Sequence, residues 1–320
     1  QRQMCIRDRY RPFAKQWLYF NRRFNERVLQ MPRIFPDIDS ENRIIMIKGN
    51  WSGEGHFALM TDRLACSQPD GGAQCFPLYL YDEPEIVEPV GAAQTDDMFA
   101  NSKVGDVKKR TRREAITDAG LSHFQAAYPD DVINKSDVFY YAYGLLHSSD
   151  YRERFSDNLS KELPRIPRVK EASDFWAFCE AGRKLADLHV GYETVEPYPV
   201  QIIGVERASV DADFYVEKMK QPKKGKIKDL TTLLYNGKIT VSGIPTEAYD
   251  YVVNGRPALD WIIERQGVKT EKDSGIVNDS NDWAIETMNN PRYPMELFQR
   301  IITVSLETLK IMKKLPALNI

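Results

Sequence analysis

An apolar pattern at helical spacing that stops on two prolines constrains this chain more than any other feature. Residues 137–167 read DVFYYAYGLLHSSDYRERFSDNLSKELPRIP. Val138, Tyr141, Ala142, Leu145 and Leu146 recur at i, i+3, i+4, i+7 and i+8, so they share one helix face. Ser136 is placed to cap that helix, with Asp137 in its first turn. Such a face must pack against something. Ser148, Ser149 and Asp150 break the pattern and restart a second helix, in which Tyr151, Phe155 and Leu159 recur at every fourth position until Pro164 and Pro167 forbid continuation. Arg152, Glu153, Arg154 and Lys161 are left outside. Ser173 then caps a third helix whose Phe175, Phe178, Cys179, Gly182, Leu185, Ala186 and His189 align; on that face His189 reads as a core or boundary residue.

The flanks read differently. Residues 43–48, 57–61 and 74–81 are short stretches rich in β-branched or aromatic residues, separated by Gly-rich connections, and predict strands. Towards the other end, 214–219 alternates as a strand, and 232–235 and 238–241 flank Asn236-Gly237, a strong hairpin signal. Pro257 and Pro294 each open a helix. The fold class expected is α+β, with short antiparallel strands at both ends and a central helical segment. The parts are a β-rich 10–135 with a flexible loop near 83–115, a helical 136–193 and an α+β 194–320. Residues 1–9 show no period or cap, and MCIRDR resembles a translated adapter scar, so they are set outside the fold and the true chain is expected to continue upstream.

The four cysteines, Cys5, Cys66, Cys75 and Cys179, form no CxxC pair, and the histidines are as dispersed, so neither disulfides nor zinc are suggested and a reducing, cytoplasmic setting fits. No apolar run reaches the roughly 18 residues of a membrane span. No Glu has a Lys two residues on, so the Glu-x-Lys of a PD-(D/E)xK nuclease is not found, and no nucleotide-binding GK[ST] follows the Gly-rich 49–55. Asn290-Pro291-Arg292-Tyr293 lacks the second proline of the loop that holds a flipped adenine and reads as a helix-entry turn. The formal net charge of −2 disfavours a free-standing, electrostatically driven nucleic-acid binder.

The central block, YxxYGLLHSSDYRERFSDNLSKELPRIP followed by LADLH, resembles the C-terminal segment of type ISP restriction-modification polypeptides and related fused adenine methyltransferase-nucleases. Tyr10-Arg11-Pro12-Phe13 with Trp17, Tyr19 and Phe20 is similar to the segment that follows their methyltransferase core. So is the stretch from Ile244-Pro245 through Tyr251, Asn254-Gly255, Trp261, 274–279 and Asp282-Trp283 to their C-terminal region. The resemblance implies a target-recognition region that gives sequence-specific binding of double-stranded DNA to an adenine N6-methyltransferase and ATP-dependent helicase-nuclease upstream on the same polypeptide. S-adenosylmethionine, ATP and Mg belong to that parent, and none of them to this fragment.

Within that reading, loop residues Asn50, Trp51 and Gln74 are candidates for base edges and faces, and Lys48 for a phosphate or a guanine. Two basic tracts are candidates for the backbone: Lys108, Lys109 and Arg110 within 103–113, and Lys223, Lys224 and Lys226 within 218–228, the latter expected as a flexible loop. Both tracts also suit a solvated surface, and the aromatic-basic mixture of 10–31 suits either base stacking or packing on an upstream domain. Two other functions stay open: a scaffold coupling methyltransferase to motor without touching DNA, and a part of the methyltransferase active site.

Overall fold

The first described residues, from Cys5, pair as strands. The computed structural model describes residues 5–19, 29–37, 39–48, 56–65, 73–82, 110–204 and 211–320. β1 (Cys5–Arg11) and β2 (Ala14–Tyr19) form a hairpin, and β5 (Leu64–Ala65) adds parallel to β1. β1 takes in Cys5 to Arg9, although that stretch has no period, because ladder hydrogen bonds use main-chain groups only. Phe13 turns the hairpin at φ 58, an uncommon conformation for a bulky residue, and lies fully buried edge-on to Tyr192 at 5.4 Å.

A second sheet has the order β4-β3-β6, with β3 (Ile44–Lys48) between β4 (Ala58–Thr61) and β6 (Ala73–Pro77), all antiparallel. Ile44, Ile45, Met46 and Ile47 are all buried, as a strand covered on both faces requires. Ile45 and Ile47 face the helices; Ile44 and Met46 join Ile34, Phe35 and Leu64 on the other side. Ile34 ends α1 (Met31–Ile34), and β7 (Tyr79–Tyr81) pairs with β8 (Arg112–Glu114).

The helical layer comprises α2 (Asp118–Gln125), α3 (Lys135–Leu145), α4 (Ser149–Arg154), α5 (Ser156–Leu159) and α6 (Ala172–Val190). Three expectations are corrected here. Asn134, not Ser136, caps α3: its side chain accepts from the Asp137 N–H while Asp137 Oδ2 accepts from the Asn134 N–H, a reciprocal box that Ser136 is too late in the turn to make. The second helix is split at Phe155, whose φ of −111 and ψ of 20 are not helical. Glu171, not Ser173, stands at the start of α6, without a side-chain cap.

α3 and α6 cross at two glycines. A Cβ on Gly144 would lie 2.0 Å from the Phe178 carbonyl oxygen, and one on Gly182 would lie 1.9 Å from that of Tyr140. Only glycine lets the two backbones meet. Around the crossing Tyr141 stacks on Phe175 at 4.8 Å. Pro164 and Pro167 leave the following segment without secondary structure, and tyrosine hydroxyls supply its partners: Tyr151 donates to the Arg165 carbonyl at 2.7 Å, Tyr141 to Pro167 at 2.7 Å and Tyr128 to Val169 at 2.5 Å. Burial pushes the Tyr151 phenol up to about 12 and the Tyr141 phenol higher still, so both donate at any ordinary pH.

The C-terminal part surrounds its own core. β9 (Gln201–Ile203) pairs with β13 (Thr240–Ser242), which pairs with β12 (Thr232–Leu234); the small hairpins β10 (Lys223–Lys224) with β11 (Ile227–Lys228), β14 (Val252–Val253) with β15 (Arg256–Pro257), and β16 (Val268–Thr270) with β17 (Val277–Asp279) complete the strands. α7 (Ala258–Arg265), the short α8 (Ser280–Asp282) with a π-helical turn from Trp283 to Thr287, and α9 (Tyr293–Met312) pack over them. The strand expected at 214–219 is not one. Phe214, Val216 and Met219 are buried and Tyr215, Glu217 and Lys218 exposed, but the Asn281 side chain takes the neighbouring strand's place, accepting from the Val216 N–H at 3.0 Å and donating to its carbonyl at 2.9 Å. The Asn236-Gly237 hairpin forms with a longer connection, because Asn236 Oδ1 accepts from the N–H groups of Lys238 and Ile239. With strands at both ends and helices in the middle, the fold is α+β.

Three outcomes follow from this packing. Gly182→Ala should destabilise the chain by about 3 kcal/mol in a denaturant titration, since backbone atoms cannot yield as a side chain would, whereas Gly237→Ala, with nothing within 4 Å of its Cβ, should stay within about 0.5 kcal/mol. Tyr141→Phe should cost about 1 to 3 kcal/mol by leaving the Pro167 carbonyl unpaired. His147 is fully buried, and burial holds its pKa at about 3. The unfolded chain therefore binds a proton that the folded chain refuses as pH falls below about 6.5. Stability should drop by up to about 1.4 kcal/mol per pH unit towards pH 5; an unfolding midpoint that stays flat between pH 6.5 and 5 would contradict this.

Candidate nucleic-acid interface

The sheet end formed by β3 and β6 carries one group of candidates. Lys48 closes β3 opposite Ala73, and Gln74 stands opposite Ile47 with its residue exposed, so the two belong to adjacent strands at one edge. Asn50 and Trp51, in the connection that leaves β3, lie outside the described residues, as do Lys108, Lys109 and residues 83–109 of the loop expected near 83–115, whose described end is instead the strand β8 paired with β7. Arg110 is half-buried and its Nη1 lies 3.5 Å from the Pro32 carbonyl, which turns it towards α1. The arginines that follow it on β8 are the exposed ones: Arg112 sits over the Tyr79 ring at 4.1 Å, and Arg113 pairs with Asp82 at 3.2 Å.

The second basic tract is ordered, not a loop. Lys223 and Lys224 form β10, Ile227 and Lys228 form β11, and Gly225, at φ 62, makes the turn together with Lys226. A glycine there removes the Cβ penalty of the left-handed region, which is why a lysine-rich tract can still close a hairpin. Lys223 faces Lys228 across the pair. Like charges directly opposite destabilise a two-stranded ribbon unless an anion intervenes. Lys218, Lys220, Lys223, Lys226 and Lys228 are all exposed, and among the described residues none of them has an ion-pair partner. Lys218 and Lys220 line a groove of about 620 Å³ together with Tyr215 and Asn236. Lys238 on its far wall is neutralised by Asp213.

Among the described residues no group of His, Cys, Asp and Glu can hold a metal ion, and no helix is long and apolar enough to cross a membrane. Cys179 is buried, and desolvation pushes its thiol up to about 11, which keeps it from being a nucleophile. His189 is fully buried between the Tyr143 hydroxyl at 2.6 Å and the Thr308 hydroxyl at 2.9 Å, the core position its helix face predicts. Asn290-Pro291-Arg292-Tyr293 is the entry turn of α9: Asn290 accepts from the Arg292 N–H and donates to Glu296, while Tyr293 is buried with its hydroxyl on Glu193. The stacking of Arg112 on Tyr79 is not legible in the sequence, since Tyr79 looks like any strand aromatic until the chain folds.

No curated protein matches. Among solved structures the chain is similar to the ATP-dependent Type ISP restriction-modification enzyme LlaBIII bound to DNA, at 33% identity and a TM-score of 0.81 over 99% of this chain and 19% of that one. It is also similar to a nuclease-deletion mutant of the Type ISP restriction-modification enzyme LlaGI in complex with a DNA substrate mimic, at 34% identity and a TM-score of 0.77 over 100% of this chain and 21% of that one. A DrdV-DNA complex shows 29% identity and a TM-score of 0.78 over 100% of this chain and 29% of that one. The 320 residues thus span less than a third of each of these longer chains. The family model of the Type ISP C-terminal specificity domain matches residues 2–297, and the chain belongs to that family.

Proposed function

We propose that this chain is the DNA target-recognition module of a larger restriction-modification polypeptide, binding double-stranded DNA in a sequence-specific way on behalf of an adenine N6-methyltransferase and an ATP-dependent nuclease carried upstream. The observation that carries the reading is the lysine hairpin: exposed, unpaired cations with Lys223 facing Lys228 await a polyanion. Phosphate contacts from Lys218 to Lys228 set register, while Gln74, Lys48 and the adjoining Asn50 and Trp51 read base edges and faces. The helical layer holds both surfaces at a fixed separation. S-adenosylmethionine, ATP and Mg act in the parent, in the cytoplasm where its DNA substrate lies. Membership of a specificity-domain family and likeness to enzymes solved with DNA support this reading.

The net charge of −2 favours a second reading, a scaffold that couples methyltransferase to motor without touching DNA. One experiment separates them. Methylated sites are mapped in cells expressing the full-length parent and a chimera in which residues 10–318 come from a relative with a different target. A motif that switches with the transplant establishes the module; an unchanged motif with altered activity establishes the scaffold. Replacing Lys223, Lys224 and Lys226 by Ala in the parent should reduce the slope of log affinity against log salt by about 2 to 3, and affinity for all sequences should fall together. Gln74→Ala should instead relax preference at one base pair, by about 1 to 3 kcal/mol in a competition assay.

A further inference from the structure

The lysine hairpin carries one residue that a purely electrostatic role leaves unexplained. Ile227, the first residue of β11, is 77% exposed between the exposed Lys226 and Lys228. Strand preference for a β-branched residue comes from packing against neighbours, and Ile227 receives almost none. Successive residues of a strand point to opposite faces, and Lys228 stands opposite Lys223, so Ile227 lies on one face of the ribbon and that lysine pair on the other. The base of the hairpin is fixed to the core. The Asp229 N–H donates to the Pro222 carbonyl at 2.8 Å, Lys220 exchanges both main-chain hydrogen bonds with Leu234 at 2.9 and 2.8 Å, and the Gln221 amide donates to the Tyr249 hydroxyl at 3.0 Å. The exposed tip therefore stands on a rigid root.

The neighbouring amide and hydroxyl are already engaged. Asn236 Nδ2 donates to the Asp213 and Tyr215 carbonyls, both at 2.9 Å, while its Oδ1 accepts from the N–H groups of Lys238 and Ile239. The Tyr215 hydroxyl donates to Asp279 at 3.0 Å. The five exposed lysines outnumber Glu217, the exposed carboxylate of the adjoining groove, so the surface favours a polyanion. Phosphate contacts alone carry no sequence information. A two-stranded ribbon fits the major groove of B-form DNA, about 12 Å wide, and is too broad for the minor groove at about 6 Å. The apolar group that base edges present in the major groove is the thymine C5 methyl. An exposed aliphatic side chain, flanked by cations that hold the strands on either side, matches that group in chemistry and in place.

We propose that the β10–β11 ribbon enters the major groove and that Ile227 packs on the C5 methyl of a thymine, so that the hairpin reads a base as well as holding phosphates. The inference rests on the DNA reading and adds a specificity-determining residue to it. The test uses the full-length parent, with its Ile227→Ala and Ile227→Val variants, and duplexes carrying the motif found by methylation mapping. Thymines in and beside the motif are replaced one at a time by deoxyuridine, which lacks only the methyl. At one position the Kd of the parent should rise about three- to fourfold. Ile227→Ala should bind the thymine and uracil duplexes equally, and Ile227→Val, which keeps a β-branched apolar side chain, should retain most of the difference. Because Ile227 is exposed, neither substitution opens a cavity. Uracil binding as well as thymine at every position, or a methyl preference that Ile227→Ala keeps in full, overturns the proposal and leaves the DNA reading standing on the parent's salt-dependent affinity. A parent that binds no duplex overturns both.

Discussion

The backbone contact between Gly144 and Gly182 is the constraint on which the rest of the structure depends. Helices separated by ordinary side chains sit 8–10 Å apart, and two facing glycines bring them closer. That closeness lets Tyr140, Tyr141 and Tyr143 reach past the crossing in different directions. Tyr140 lies beneath the Arg183 guanidinium at 4.3 Å, whose Nη2 holds the buried Asp137 at 2.6 Å; Tyr143 reaches His189. His189 in turn bonds Thr308 of α9 and stacks on Tyr251, so one crossing ties the helical layer to the C-terminal core.

A second constraint is polar. The segment after Pro164 has little secondary structure of its own and would expose buried carbonyls, and three tyrosine hydroxyls from α3, α4 and the end of the α2 region accept that burden. Each of those rings also contributes to the apolar core, so a single residue type fills volume and closes a hydrogen bond. The result is a rigid middle flanked by sheet edges and small hairpins. Recognition residues on loops and edges gain precision only when such a scaffold holds them.

Much of this was legible in sequence, and where it was not the reason is physical. The apolar face of α6 follows from periodicity and β3 from its β-branched run, both properties of neighbours along the chain, whereas α3 buries Phe139, Tyr140 and Tyr143 beyond the face its period marks because it is covered on several sides. The glycine in each face was visible, but not that they meet. Ser136 and Ser173 were reasonable caps by residue type; Asn134 prevailed because Asp137 answers it, and Glu171 starts α6 because packing, not a cap, sets where that helix begins. The 214–219 alternation holds from Phe214 to Glu217 and breaks where exposed Lys218 precedes buried Met219, and the partner that strand signals imply is the Asn281 side chain, 65 residues from Val216. At the candidate interface the lysines were legible as a tract, while their arrangement as a hairpin with Lys223 opposite Lys228 was not.

By itself the sequence determined the α+β class, the helix faces, the proline stop and the places where cations concentrate, because dihedral preference and hydrophobic period are local and are written in consecutive residues. Tertiary structure alone decided what those surfaces do. Trp17 and Thr287 are 270 residues apart and share a hydrogen bond, and the Asn281 side chain pairs with the Val216 backbone across 65 residues. Contacts of that kind arise when the whole chain buries its apolar area at once, and no local pattern specifies which polar groups that burial leaves facing one another.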